Sequence, residues 1–231
     1  MDNLKQLFFD GSLTTGDPIK LEKPLAKRLS KVLRLSVGTH IALFNGKDGL
    51  FKVKITSADC KKAKVIEQLK PLVEINNVTL FAAIVKKDAM DRIFRQATEL
   101  SINIIHPCLS DYCMVNKLNT DRISTLLIEA SEQCERLDIP KLEPLTPLKD
   151  AIKNFAGTIF WCDEVEGGKW GNHTSKNGDG ILIGPEGGFS PKEREWLQQQ
   201  SNIQPVGLGV NILRADTASA VAIGLFFEAF Q

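Results

Sequence analysis

Near the C-terminal end, two short apolar runs each finish in glycines: Ile181-Leu182-Ile183-Gly184-Pro185-Glu186-Gly187-Gly188-Phe189-Ser190 and Val206-Gly207-Leu208-Gly209-Val210-Asn211-Ile212-Leu213-Arg214. A strand that runs into glycine presents bare main chain, so a ligand can reach N–H and C=O groups without meeting a Cβ. Each turn leads into a helical pattern. Ser190-Pro191-Lys192-Glu193 reads as a capping box with Pro at the first helical position. Ala218, Val221, Ala222, Leu225, Phe226 and Ala229 repeat at i, i+3, i+4 and i+7. The pair predicts a ligand held by main chain, and a final helix whose apolar stripe needs cover from the domain or from a second subunit.

From Val78 onward, continuous apolar strands alternate with helices. The expected strands are Val78–Val85, Ile102–Ile105, Gly157–Cys162, Ile181–Ile183 and Pro205–Leu208. Met90, Ile93, Phe94 and Ala97 mark one helix between them, and Ile123, Leu126, Leu127, Ala130 and Cys134 a second. This alternation predicts a mostly parallel sheet covered on both faces. Gly167–Gly180 is polar and glycine-rich, and is expected to be an exposed loop.

The first third is different. Leu7–Phe9, His40–Phe44, Leu50–Ile55 and Lys64–Ile66 are short strand candidates, and Asn45-Gly46-Lys47-Asp48-Gly49 is a hairpin loop between two of them. Lys52 and Lys54 alternate with Phe51, Val53 and Ile55, the period of a half-buried strand. Closing these strands predicts a small barrel. A helix is expected over residues 24–35, with Leu25, Leu29, Val32 and Leu33 inward and Lys27, Arg28, Lys31 and Arg34 on its other faces. The junction falls around Leu69–Asn77, which divides the chain into residues 1–72 and 73–231.

Net charge is only +1, yet residues 1–75 hold 14 Lys/Arg against 8 Asp/Glu. A basic N-terminal third is the pattern of a polyanion-binding module, and equally of a solvated Lys-rich surface. The four cations of the expected helix are the candidate phosphate contacts. The five cysteines are scattered and never form C-x-x-C, so they read as reduced thiols, and the three histidines stand apart from them. No metal site is expected. No apolar stretch approaches the ~20 residues of a membrane helix. The N-terminus lacks the order of a secretory signal, so a cytoplasmic location is expected.

Gly184–Ser190 is not a P-loop, because no Gly-Lys-Ser/Thr follows, and Gly207/Gly209 lack the third glycine of a dinucleotide fingerprint. Together, however, Ile183–Ser190 and Leu208–Ala218 resemble the signature of the RsmE-type ribosomal RNA methyltransferases of the SPOUT superfamily. Supporting matches are Ala97-Thr98-Glu99-Leu100, Glu129-Ala130-Ser131-Glu132-Gln133 with Arg136, Ile139-Pro140, and Val32-Leu33-Arg34-Leu35 with Gly38.

The resemblance implies an α+β two-domain fold: an N-terminal PUA-like β-barrel for RNA, and a C-terminal α/β SPOUT domain with a mostly parallel sheet and a trefoil knot. It also implies a homodimer, S-adenosylmethionine bound in the knot, and methyl transfer to N3 of one uridine in small-subunit ribosomal RNA without metal. By the same resemblance Trp161, Gly184, Gly187, Gly188, Leu208, Gly209, Ile212, Leu213, Thr217 and Ala218 surround the cofactor. Uridine N3 is protonated at neutral pH; with a pKa ~2 units above ambient, its deprotonation costs on the order of 3 kcal/mol. Arg214 is the expected stabiliser of the developing charge, and Glu186 the second candidate, as proton acceptor. Val210-Asn211 stands where the family often has Pro-Arg, and Asp216 where it has Glu, which bears on substrate contacts. Two other readings stay open: a related methyltransferase acting on another RNA such as tRNA, and a non-catalytic RNA-binding ribosome-assembly protein.

Overall fold

The computed structural model describes residues 4–73, 77–170 and 173–230. Contacts divide the chain into two units, Met1–Glu74 with Ser131–Ile139, and Ile75–Ala130 with Pro140–Gln231. Residues 74–76, inside the expected junction, fall outside the described ones, as do residues 1–3 of the N-terminus, on which the signal-peptide reading also rests.

In the first unit, β1 (Gln6–Phe8), β2 (Pro18–Lys20), β3 (His40–Phe44), β4 (Leu50–Ile55) and β5 (Lys62–Lys70) form one sheet in the order β1-β3-β4-β5-β2. The hairpin between β3 and β4 is set by Asn45. Its Oδ1 accepts from the N–H groups of Lys47 (3.1 Å) and Asp48 (2.8 Å), so a side chain shapes the turn. Phe44 then faces Leu50, and Phe51, Val53 and Ile55 enter the core with Leu7, Leu29, Ile41 and Val65. The expected closed barrel is an open half-barrel among the described residues. β1 and β2 are three residues each and are its edges, and Pro18 lacks the N–H that further pairing would need.

The expected helix over 24–35 is also shorter. Helix α1 spans Lys23–Lys27, and Arg28–Val32 form a wider π turn. Ser30 Oγ donates to the Ala26 carbonyl at 2.8 Å, and the chain stops at Arg34 in a left-handed conformation (φ 53°), with the Leu35 N–H closing back on the Leu29 carbonyl. The wider turn rotates Val32 outward to 72% exposure, while Leu29 stays buried.

Ser131–Ile139 packs with this unit, and the division falls inside α3 (Thr120–Gln133). Glu132 accepts from the Phe8 N–H (3.0 Å) and pairs with Arg28 (2.7 Å), and Gln6 donates to the Arg136 carbonyl (2.8 Å). Leu137 and Ile139 lie against Phe44 and Leu50.

The second unit carries β6 (Thr79–Ala83), α2 (Lys87–Glu99), β7 (Ile104–Leu109), the start of α3, β8 (Lys141–Leu142), β9 (Thr146–Pro147), α4 (Leu148–Ile152), β10 (Ile159–Cys162), β11 (Gly168–Lys169), β12 (Gly180–Ile183), α5 (Pro191–Gln198), β13 (Ile203–Gly207) and α6 (Ala215–Glu228). Every described pairing is parallel, in the order β11-β13-β10-β12-β6-β7-β8 with β9 on β7. β12 therefore lies between β6 and β10. β6 and β12 are buried along their whole length, as the continuous apolar runs predict. α6 packs on α2 and β12 through Ala215, Ser219, Ala222, Ile223 and Phe226.

The stretch 167–180 is not simply an exposed loop. β11 joins β13, Trp170 stacks on Phe160 at 5.4 Å, and the fully buried Ser175 donates to the Phe226 carbonyl; residues 171–172 are outside the described ones. A buried hydroxyl and a stacked indole outweigh the polar composition that pointed to solvent.

α2 and α3 are joined by a two-pronged ion pair, Arg122 to Asp91 at 2.7 and 2.8 Å. The Arg122 hydrogen bonds hold the Asp91 carboxyl below its ordinary value against the opposing effect of burial. A lowered carboxylate pKa contributes stability above the unfolded value of about 3.9, lost as pH falls through the folded value. Asp91→Asn is expected to cost about 1 kcal/mol above pH ~5, because Arg122 is partly exposed. In denaturant titrations the gap to wild type should close below pH ~4.

Candidate functional site: a main-chain cleft at three strand ends

The carboxyl ends of β10, β12 and β13 open into one cleft with a cavity volume of ≈ 120 Å³. Parallel strands end on the same side of their sheet, and a strand placed between earlier neighbours leaves a crevice there. Three loops form the walls: Cys162–Glu164 after β10, Gly184–Phe189 after β12, and Leu208–Leu213 after β13, with Ala215 and Ala218 of α6 beneath.

Two backbone features bring these loops together. A Cβ on Gly167 would sit 2.3 Å from the Asp163 carbonyl oxygen and 2.5 Å from the Gly207 nitrogen, so the exit of β10 can lie against the end of β13 only as glycine. Gly209 has φ +125°, and nothing stands within 4 Å of the place its Cβ would take. The main chain there faces open space.

Of the residues expected at the cofactor, Gly184, Gly188, Leu208, Gly209, Ile212, Leu213 and Ala218 line the cleft, as does Glu186. Gly187, Thr217 and Arg214 lie beside it and not among its lining residues; Arg214 is exposed at the N-cap position of α6. Trp161 is in the core instead. Alternation along β10 turns it toward Phe189 and Leu197, 1% exposed, while the neighbouring Cys162 reaches the cleft. Desolvation pushes the Cys162 thiol up, away from the thiolate form.

Residues that the motifs did not single out hold the walls. Asp163, its side chain fully buried, takes a two-pronged bond from Arg194 of α5 at 2.8 and 2.9 Å and also accepts from the Val165 N–H at 2.9 Å. The Arg194 guanidinium lies 5.1 Å from the Trp161 ring centre. The capping box is present as the sequence predicts, and Glu193 also accepts from the Asp111 N–H at 2.9 Å. An i-to-i+3 spacing revealed the box; nothing local reveals partners 31 and 82 residues away.

On the first unit, Arg28 is committed to Glu132, whereas Lys27, Lys31 and Arg34 are exposed and make no ion pair among the described residues. No group of three or more potential metal ligands is found among the described residues, and no helix is long and apolar enough to cross a membrane.

A main-chain cleft at the ends of parallel strands, in a chain that also carries a separate half-barrel unit, defines a two-unit α/β protein with a ligand-sized site. Comparison with known proteins makes this specific. An RNA methyltransferase domain model matches residues 73–226, and an RNA methyltransferase PUA domain model residues 29–68. The ribosomal RNA small subunit methyltransferase E of Rickettsia conorii is 35% identical over 199 residues, covering 83% of this chain and 82% of that protein. Its counterpart in Buchnera aphidicola subsp. Schizaphis graminum is 28% identical, covering 95% and 94%. A Neisseria gonorrhoeae ribosomal RNA small subunit methyltransferase E, crystallised bound to S-adenosyl methionine, superposes with a TM-score of 0.89 at 25% identity, covering 99% of this chain and 98% of that one. The chain belongs to the ribosomal RNA small subunit methyltransferase E family.

Arg194→Ala would leave the buried Asp163 carboxylate with one backbone donor. Loss of one partner of a buried pair costs about 3–5 kcal/mol. Denaturant unfolding should show a loss near the lower end, since Arg194 keeps some contact with solvent.

Proposed function

We propose that this protein transfers the methyl group of S-adenosylmethionine to N3 of a uridine in small-subunit ribosomal RNA, as a cytoplasmic homodimer. The observation that carries the reading is the cleft of bare main chain at three strand ends, in a chain of this family. The residues present fit the cofactor. Gly209 leaves open space over its backbone, while Leu208, Leu213 and Ala218 offer apolar surface for an adenine face. The loops at Gly184–Gly188 and Leu208–Leu213 would hold it. When bound, the sulfonium supplies an electrophilic methyl group.

The chain's own residues do the rest. N3 must lose a proton, so positive charge aimed at a uracil carbonyl lowers the barrier. Arg214 is free to turn toward the cleft from the start of α6, with its guanidinium exposed. Glu186, on the lining itself, is placed to accept the proton. Lys27, Lys31 and Arg34 supply phosphate contacts, and Arg28 is mainly a structural cation. Half-buried Val221 and Leu225 on α6 favour a second copy as cover. The place of β12, inserted between β6 and the earlier-laid β10, favours the trefoil knot.

The test is mass spectrometry of nucleosides from small ribosomal subunits and from tRNA, each incubated with the protein and S-adenosylmethionine. The expected product is 3-methyluridine in the ribosomal RNA. Methylation confined to tRNA, or none with either RNA, contradicts the reading. Arg214→Ala should lower kcat about 100-fold with cofactor affinity unchanged by calorimetry; equal losses in both would make Arg214 a binding residue.

A further inference from the structure

The turn after β7 is built with more care than a connection requires. The Cys113 N–H closes it on the Ser110 carbonyl (3.1 Å), and the Cys113 thiol accepts from the Ser110 N–H (3.3 Å). Asp111 ties it to the start of α5: its N–H donates to Glu193 Oε1 at 2.9 Å, and its carboxylate accepts from Ser190 Oγ. Glu193 is 5% exposed, so the helix end of the anchor is buried. At the centre of this turn stands Tyr112, the chain's one tyrosine.

Tyr112 lies on the cofactor loop. A Cβ at Gly187 would be in ordinary contact with its Cβ (3.6 Å) and Cδ2 (3.8 Å), and the residues on either side of Gly187 line the cleft. Tyr112 is nonetheless 49% exposed, the one aromatic among the exposed large hydrophobic residues of the described ones. Its hydroxyl makes no hydrogen bond among the described residues, as suits a ring that ends in solvent. The outcome is a half-exposed tyrosine, carried on an anchored turn, at the edge of the methyl-donor cleft.

N3 lies on the Watson–Crick edge, so a base that reacts there must be unpaired and turned out toward the site. An unstacked pyrimidine gains most from a flat aromatic face, and such stacking tolerates any base identity. Val210 and Ile212, exposed on the loop after β13, are apolar but have no such face. We propose that Tyr112 is the platform on which the target pyrimidine stacks while its N3 is presented to the cleft. This deepens the function proposed above and rests on it.

The test uses the full chain, S-adenosylmethionine and small ribosomal subunits, with Tyr112→Ala and Tyr112→Phe. Tyr112→Ala should raise the KM for RNA roughly tenfold, the scale of one lost base–aromatic stack. Its cofactor Kd by calorimetry should match wild type, and Tyr112→Phe should keep near wild-type kinetics. Three results overturn the platform: Tyr112→Ala with wild-type KM and kcat; a parallel loss of cofactor affinity, which would make the ring a brace for Gly187; or Tyr112→Phe as impaired as Ala, which would assign the effect to the hydroxyl. Wild type that transfers no methyl group to this RNA overturns the function itself and the platform with it. Wild-type transfer beside an unaffected Tyr112→Ala overturns the platform alone.

Discussion

The close approach of two backbones, Gly167 against Val206 and Gly207, is the constraint on which the site depends. Chains this near leave no room for a side chain on either glycine, and they bring the exit of β10 against the end of β13. With β12 on the other side of β10, three parallel strands deliver their last residues to one place. A cleft lined by main chain follows from this geometry. It needs few special side chains, only the absence of Cβ atoms at the points of contact.

What fixes the loops in space is the first turn of α5. Ser190, Glu193 and Arg194 lie within five residues, yet they reach two separate segments. Ser190 and Glu193 cap their own helix and hold Asp111, and Arg194 holds Asp163. Asp163 and Glu193 are both buried, so leaving either carboxylate without its partner is costly. The cofactor loop, the loop after β10 and the turn after β7 are thus referred to one rigid element. A site that must set a methyl group against one atom of a base needs positional precision of this kind.

The sequence made the parallel sheet and its helices legible because buried strands read as continuous apolar runs and α5 announces itself with Ser190, Pro191 and Glu193. The hairpin at Asn45 was equally plain, since one side chain makes the turn. Short edges were not. β2 has three residues and β8 and β9 two each, too few for periodicity to register. The helix expected over 24–35 ends early because of a local bond by Ser30 and a left-handed Arg34, which the apolar stripe does not report. Glycines and apolar residues of the cleft could be read from the two motifs and the family resemblance. Trp161, expected at the cofactor, lies in the core because the register of β10 alone decides which of Trp161 and Cys162 meets the cleft. Asp163–Arg194 and Asp111–Glu193 join residues far apart in the chain, so only folding reveals them.

The claim that main chain, more than side chains, grips the methyl donor is tested most directly by amide hydrogen exchange with and without S-adenosylmethionine. The account predicts slowed exchange concentrated at Gly184, Glu186–Gly188 and Leu208–Leu213, with the half-barrel strands unchanged. Cofactor binding that leaves those amides exchanging at their free rates, or that protects the half-barrel instead, would contradict it.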